Sequence, residues 1–147
     1  LYFTGPNPEG KVNFIGHFTG AFQPFKGLTN GELLLMKAES LVRLGNSEEA
    51  LATLNSFLPY RYRAGAFQPY EITEADEVLD LILTERRKEL IYRGLSRWRD
   101  LRRFLRDNNW NGPSARIIQG EQFELGTNPE NYTLSIPPNE RSLNNNL

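Results

Sequence analysis

The stretch "TNGELLLMKAESLVRLGNSEEALATLNSFL", residues 29–58, decides how the rest of the chain is read. Its first four letters form a capping box, in which the Thr29 hydroxyl accepts from the backbone of Glu32 while the Glu32 carboxylate reaches back. Leu34, Ala38, Leu41 and Leu44 follow at helical spacing, and Gly45 supplies a left-handed stop. Asn46 or Ser47 then caps a second helix with Ala50, Leu51, Leu54, Phe57 and Leu58 on its apolar face, ended by Pro59. The spacing predicts helices over 30–44 and 47–58. Two helices joined this briefly pack antiparallel, and Ala38 and Ala50 are small enough to let the axes approach closely.

On either side the texture changes. Residues 1–28 interleave Gly5, Gly10, Gly16, Gly20 and Gly27 with Pro6, Pro8, Pro24 and aromatics, which reads as loop with short strands at most. Beyond the hairpin, a linker with Tyr60, Tyr62, Gly65, Pro69 and Tyr70 leads to "TEAD", residues 73–76, a second cap signal. The third helix is expected over 74–93, with Gly94 breaking or kinking it before a continuation from about Arg97 to Arg106. Residues 107–147 carry repeated Gly and Pro and read as an irregular segment closing in a polar tail. The expected fold class is therefore mostly α, in four stretches: a loop-rich lead-in (1–28), a helical hairpin (29–58), a charged helical segment (73–106) and an irregular C-terminal segment (107–147).

The charged segment contains "ERRKELIYRGLSRWRDLRR", residues 85–103, whose helical spacing puts charge where apolar residues belong. Leu79, Ile82, Leu83 and Leu90 share a face, and Arg86 sits four residues after Ile82 and four before Leu90. A buried Arg without a partner is costly, so Glu89, or a carboxylate or carbonyl from elsewhere, must meet it. Glu89 at i+3 and Arg93 four further on make Arg86, Glu89 and Arg93 a candidate structural ion network along the stripe. Two sharper readings compete with it. Glu85 and Glu89 form a carboxylate pair, but glycosidase carboxylates flank the substrate from opposing sides, which two neighbours on one helix do not. Arg87, Lys88, Arg99, Arg102 and Arg103, facing solvent, would suit a polyanion. Trp98 lines up with Leu101 and Leu105 and reads as core.

Composition narrows the function classes. The 147 residues carry a net charge of -1, which argues against a nucleic-acid partner, although residues 86–106 hold nine Lys or Arg against two acids. The absence of cysteine excludes disulfides, thiolate metal sites and a Cys nucleophile, and the one histidine, His17, cannot build a His-rich metal site. No metal or other cofactor is expected. No apolar run approaches the roughly 20 residues that span a bilayer, and no signal peptide is evident. The opening at Leu1 suggests a processed product or a fragment. "NYT" at Asn131 is a formal glycosylation sequon of little weight, and no Ser-His-Asp set can be assembled.

Within the hairpin, the "G-N-x-E-E-A-L" turn and helix start resemble one tetratricopeptide unit, with no second copy at the repeat period; a lone unit must dock on something else. The hairpin sequence, then "ILTERRKELIYRG" with "RWRDLRR", then "SIPPNERSLNNNL", in this order, resemble the C-terminal region of the SusD/RagB family of Bacteroidetes outer-membrane nutrient-binding lipoproteins. One spacing departs from the family's usual "G-x-R-W": "GLSRW" puts two residues between Gly94 and Arg97.

The resemblance implies a largely helical fold of tetratricopeptide-like pairs carrying loop-rich portions. It implies a lipidated N-terminal Cys, absent from this chain, that tethers the protein at the extracellular face of the outer membrane. It implies a SusC-like TonB-dependent transporter as partner, an oligosaccharide or other nutrient as ligand, and no catalysis. Ligand contacts in such proteins come largely from variable loops. Trp110, in "NNWNG", is the one loop tryptophan available for stacking on a sugar. The competing expectation is a tetratricopeptide-like protein-interaction module with no glycan role.

Overall fold

A computed structural model of the chain describes residues 5–16, 27–91, 93–105 and 115–144. The chain is mostly helical and divides into two compact units, Leu1–Gly94 and Leu95–Leu147.

The first unit is built on three helices: α1 (Asn30–Arg43), α2 (Ser47–Phe57) and α3 (Ala75–Glu89). Thr29 caps α1, its hydroxyl accepting from the Glu32 amide at 3.2 Å. At the other end Gly45 adopts a φ of 87°. The Asn46 amide donates to Leu41 O and the Gly45 amide to Val42 O, the pair of bonds that defines a Schellman stop. Leu35, Ala38 and Val42 of α1 meet Ala50, Leu51, Leu54 and Phe57 of α2 in one buried cluster with Leu58, Val78 and Ile82. Ala38 and Ala50 are both fully buried, as close approach of the two axes requires.

Several expectations need correcting. The buried stripe of α1 is Leu35–Ala38–Val42; Leu34 and Leu41 are only partly buried, and Leu44 is exposed. Four consecutive apolar residues, 33–36, fit several helical phases equally, and packing selects one. Pro59 ends α2 as an α-helix but sits in the first turn of a 3-10 helix, Leu58–Arg61, where its missing N–H costs nothing. α3 begins after Glu74 with no side-chain cap, so Thr73 does not cap it, and it stops at Glu89 rather than 93. The linker is pinned by Asn55, whose side-chain amide donates to Tyr70 O at 2.9 Å and accepts from the Tyr70 amide at 3.0 Å. In the lead-in, Asn7 Oδ1 accepts from the Glu9 and Lys11 amides, a side-chain-stabilised turn in place of any strand over 7–11.

The second unit contains α4 (Ser96–Phe104), a two-stranded antiparallel hairpin of β1 (Ala115–Ile118) and β2 (Glu121–Glu124), a 3-10 helix (Pro129–Tyr132) and α5 (Pro138–Leu143). Ala115 pairs with Glu124 and Ile118 with Glu121. Gln119 and Gly120, at φ 52° and 88°, supply the two positive φ values of a two-residue I′ turn. The described C-terminal residues, 115–144, are loop-rich as expected, but they also hold a short hairpin, which strand positions exposed on both faces conceal from any reading of hydrophobic alternation. Tyr132 is buried, donating its hydroxyl to Gly126 O at 2.8 Å.

Candidate functional site

The charges of α3 are arranged by elements far away in the chain. Arg86 is buried, as its place between Ile82 and Leu90 demands, with its side chain 11% exposed. Facing it is Glu32, in the first turn of α1, with Arg86 Nη2 3.8 Å from Glu32 Oε1. Arg93 Nη2 stands 3.3 Å from Glu32 Oε2 and also donates to Gly27 O. Two cations thus converge on one carboxylate that is itself only 13% exposed. The capping box is therefore half formed: Thr29 caps the helix, but the Glu32 side chain turns to α3 instead of back to Thr29.

Glu89 is not the link between these arginines. Its carboxylate accepts from Arg61 Nε at 2.7 Å and Nη2 at 2.8 Å, a fork-to-fork pair. The Arg61 guanidinium also lies over the Phe57 ring, 4.5 Å from its centroid. This pair explains a glycine inside a helix. A Cβ on Gly31 would fall 2.4 Å from Glu89 Oε1 and 2.9 Å from Arg61 Nη2, so α1 accepts a poor helix former to let the ion pair rest against its backbone. The row imagined along one helix is replaced by two junctions, one from Glu32 to Arg86 and Arg93, the other from Glu89 to Arg61. The spacing rule that suggested the row sees only neighbours on the same helix.

Glu85 is buried as well, 5% exposed, and accepts from Lys88 Nζ. That hydrogen bond holds the Lys88 ammonium above the usual lysine range. Lys88 is thus the partner of a buried carboxylate, and of the cations expected to face solvent in this unit only Arg87 stands exposed without an ion pair or hydrogen bond among the described residues. Glu85 and Glu89 each already hold a cation, and neither is set opposite the other across a cleft. In the second unit, Trp98 is half-buried and packs on Tyr132 with ring centroids 5.6 Å apart. Trp110 and His17 lie outside the described residues. Among the described residues, no group of three or more His, Asp or Glu comes together as a metal would require, and no helix is long and apolar enough to cross a membrane.

A helical hairpin locked to a third helix through buried ion pairs, and continued by a loop-rich unit, defines a helical scaffold class. The particular family follows from comparison with known proteins. The sequence model of the SusD family matches residues 30–147, and the chain belongs to that family. It is similar to the SusD-like protein P38 of Formosa agariphila, 39% identical over 93 residues, which cover 60% of this chain and 18% of the relative. The chain therefore matches less than a fifth of that relative's length. No solved structure matches it.

Proposed function

We propose that the chain is part of a non-catalytic nutrient-binding protein, with a glycan as the nutrient, that serves a SusC-like TonB-dependent transporter at the extracellular face of the outer membrane. The observation that carries this reading is the family match across residues 30–147. The engagement of Glu85 and Glu89 by Lys88 and Arg61 supports the non-catalytic half, because a carboxylate committed to a cation is poorly placed to serve as acid or nucleophile. In this reading Arg86, Glu89 and Arg93 belong to the scaffold, and contacts to the ligand come from loops, with Trp110 the candidate for stacking.

The test has two parts. Calorimetry against a panel of oligosaccharides, with chromatography of the mixtures, is expected to show binding without products. Affinity purification from outer-membrane extracts is expected to recover a TonB-dependent transporter, identified by mass spectrometry. Products that scale with protein and disappear in Glu85→Gln or Glu89→Gln would replace the reading with an enzyme. Recovery of other proteins without a transporter, and no saccharide binding, would favour the protein-interaction module.

A further inference from the structure

Helix α4 carries Arg99, Arg102 and Arg103 at the i, i+3 and i+4 positions that share one helix face. They line a cavity of about 420 Å³ whose other wall is Pro129, Tyr132 and Thr133. That size lies in the range of roughly 300–1,000 Å³ typical of small-ligand sites. None of the described residues lining it is acidic.

The arginines differ in how far they are already committed. Arg103 donates through Nε to Asp100 at 3.1 Å, and its guanidinium lies 4.5 Å from the centroid of the Phe104 ring. Arg99 leans on Ser96 Oγ at 3.3 Å. Arg102 makes no hydrogen bond or ion pair among the described residues. Asp100 is buried, so the one carboxylate on this helix is taken up by Arg103 and offers nothing to Arg102. The helix dipole favours Arg102 and Arg103 near a C-terminus, but it gives no reason for Arg99 in the first half of the helix or for a cavity between the three side chains and the 3-10 helix.

The opposite wall is well fixed. The Tyr132 hydroxyl is held by Gly126 O and its ring by Trp98, while Pro129 is rigid by construction. The cavity thus pairs planar cationic forks with a preformed, largely apolar wall and the Thr133 hydroxyl.

The geometry points to a binding site in this unit for an oxyanion carried on a saccharide, either a uronate carboxylate or a sulfate ester. Guanidinium forks match both groups, and the Pro129 ring offers an apolar contact and the Thr133 hydroxyl a polar one to the sugar that carries them. The saccharide half rests on the nutrient-binding reading above; the anion half does not.

Nuclear magnetic resonance of the arginine Nε–Hε groups in the full chain separates the two. The probes are inorganic sulfate, a sulfated oligosaccharide, a uronate oligosaccharide and a neutral oligosaccharide of equal length. Arg99 and Arg102 signals should move with sulfate and with at least one acidic oligosaccharide, and the preferred acid should bind about tenfold more tightly than the neutral sugar, as one charge-assisted contact predicts. Arg102→Gln should erase about tenfold of that affinity without shifting the thermal midpoint. Equal binding of acidic and neutral sugars, with Arg102→Gln silent, overturns the anion site and leaves the nutrient reading in place. Sulfate binding through Arg102 with no saccharide bound keeps the anion site and removes the glycan. Arg99 and Arg102 signals that move with no probe refute the site outright.

Discussion

Replacing Glu32 by Gln is the sharpest test of the buried junction, because it keeps the side chain's size and the Thr29 cap while deleting the charge that two arginines face. Arg86 and Arg93 have side chains only 11% and 6% exposed, so neither can recover full hydration when that charge goes. Removing one partner of a buried pair costs about 3–5 kcal/mol. Two features lower the figure here: the Arg86 contact is long at 3.8 Å, and Arg93 keeps the Gly27 carbonyl. An amide oxygen can still accept, so about 2–3 kcal/mol is expected. With a urea slope of about 1–1.5 kcal/mol per molar, the midpoint should fall by roughly 2 M. Tryptophan fluorescence is the wrong probe, since neither tryptophan belongs to the first unit. Far-UV circular dichroism, with hydrogen exchange at the α1 and α3 amides, reports the right elements. A midpoint shift below about 0.3 M at unchanged slope would mean that the junction contributes nothing measurable. Combining Glu32→Gln with Arg86→Met should cost at least about 1 kcal/mol less than the sum of the two.

Gly31→Ala should destabilise the chain by about 1 kcal/mol even though helix propensity alone predicts a gain of similar size, because the added methyl displaces the Arg61–Glu89 pair; a stabilised variant in urea titration would show that the pair relocates freely. Arg86→Ala should cost about 3–5 kcal/mol and the exposed Arg87→Ala less than about 0.5, and equal small losses would place Arg86 in solvent. The raised Lys88 ammonium sets an alkaline limit: the native state holds that proton more tightly than the unfolded chain, so the contribution is complete below the unfolded lysine pKa of about 10.4 and is lost as pH rises through the higher folded value. Stability measured from pH 9 to 12 should therefore decline less steeply in Lys88→Met than in the parent, and identical slopes would exclude the effect.

Some of this was legible from residues alone. Thr29 and Gly45 fix the ends of α1 by local chemistry that needs no partner, and the α2 face from Ala50 to Leu58 admits one phase. That Arg86 must be buried was also legible, since it interrupts a stripe of leucines. Its partner was not. Glu32 looks from sequence like the second half of a capping box, and nothing local shows that its carboxylate is turned toward another helix. The hairpin at 115–124 was missed for a different reason: with every strand position exposed there is no apolar alternation to find, and Gln-Gly is a weaker turn signal than Asn-Gly.

The junction at Glu32 also bears on the order of assembly. Arg93 lies 61 residues beyond Glu32, whereas α1 and α2 meet across a three-residue turn. Closing the short loop costs far less chain entropy, so the hairpin forms first and supplies the platform on which α3 arrives. Contacts made after the rate-limiting step leave the folding rate nearly untouched and act on unfolding instead. If docking of α3 follows that step, the two arginines work as a latch, and Glu32→Gln should then speed unfolding while leaving the folding rate unchanged.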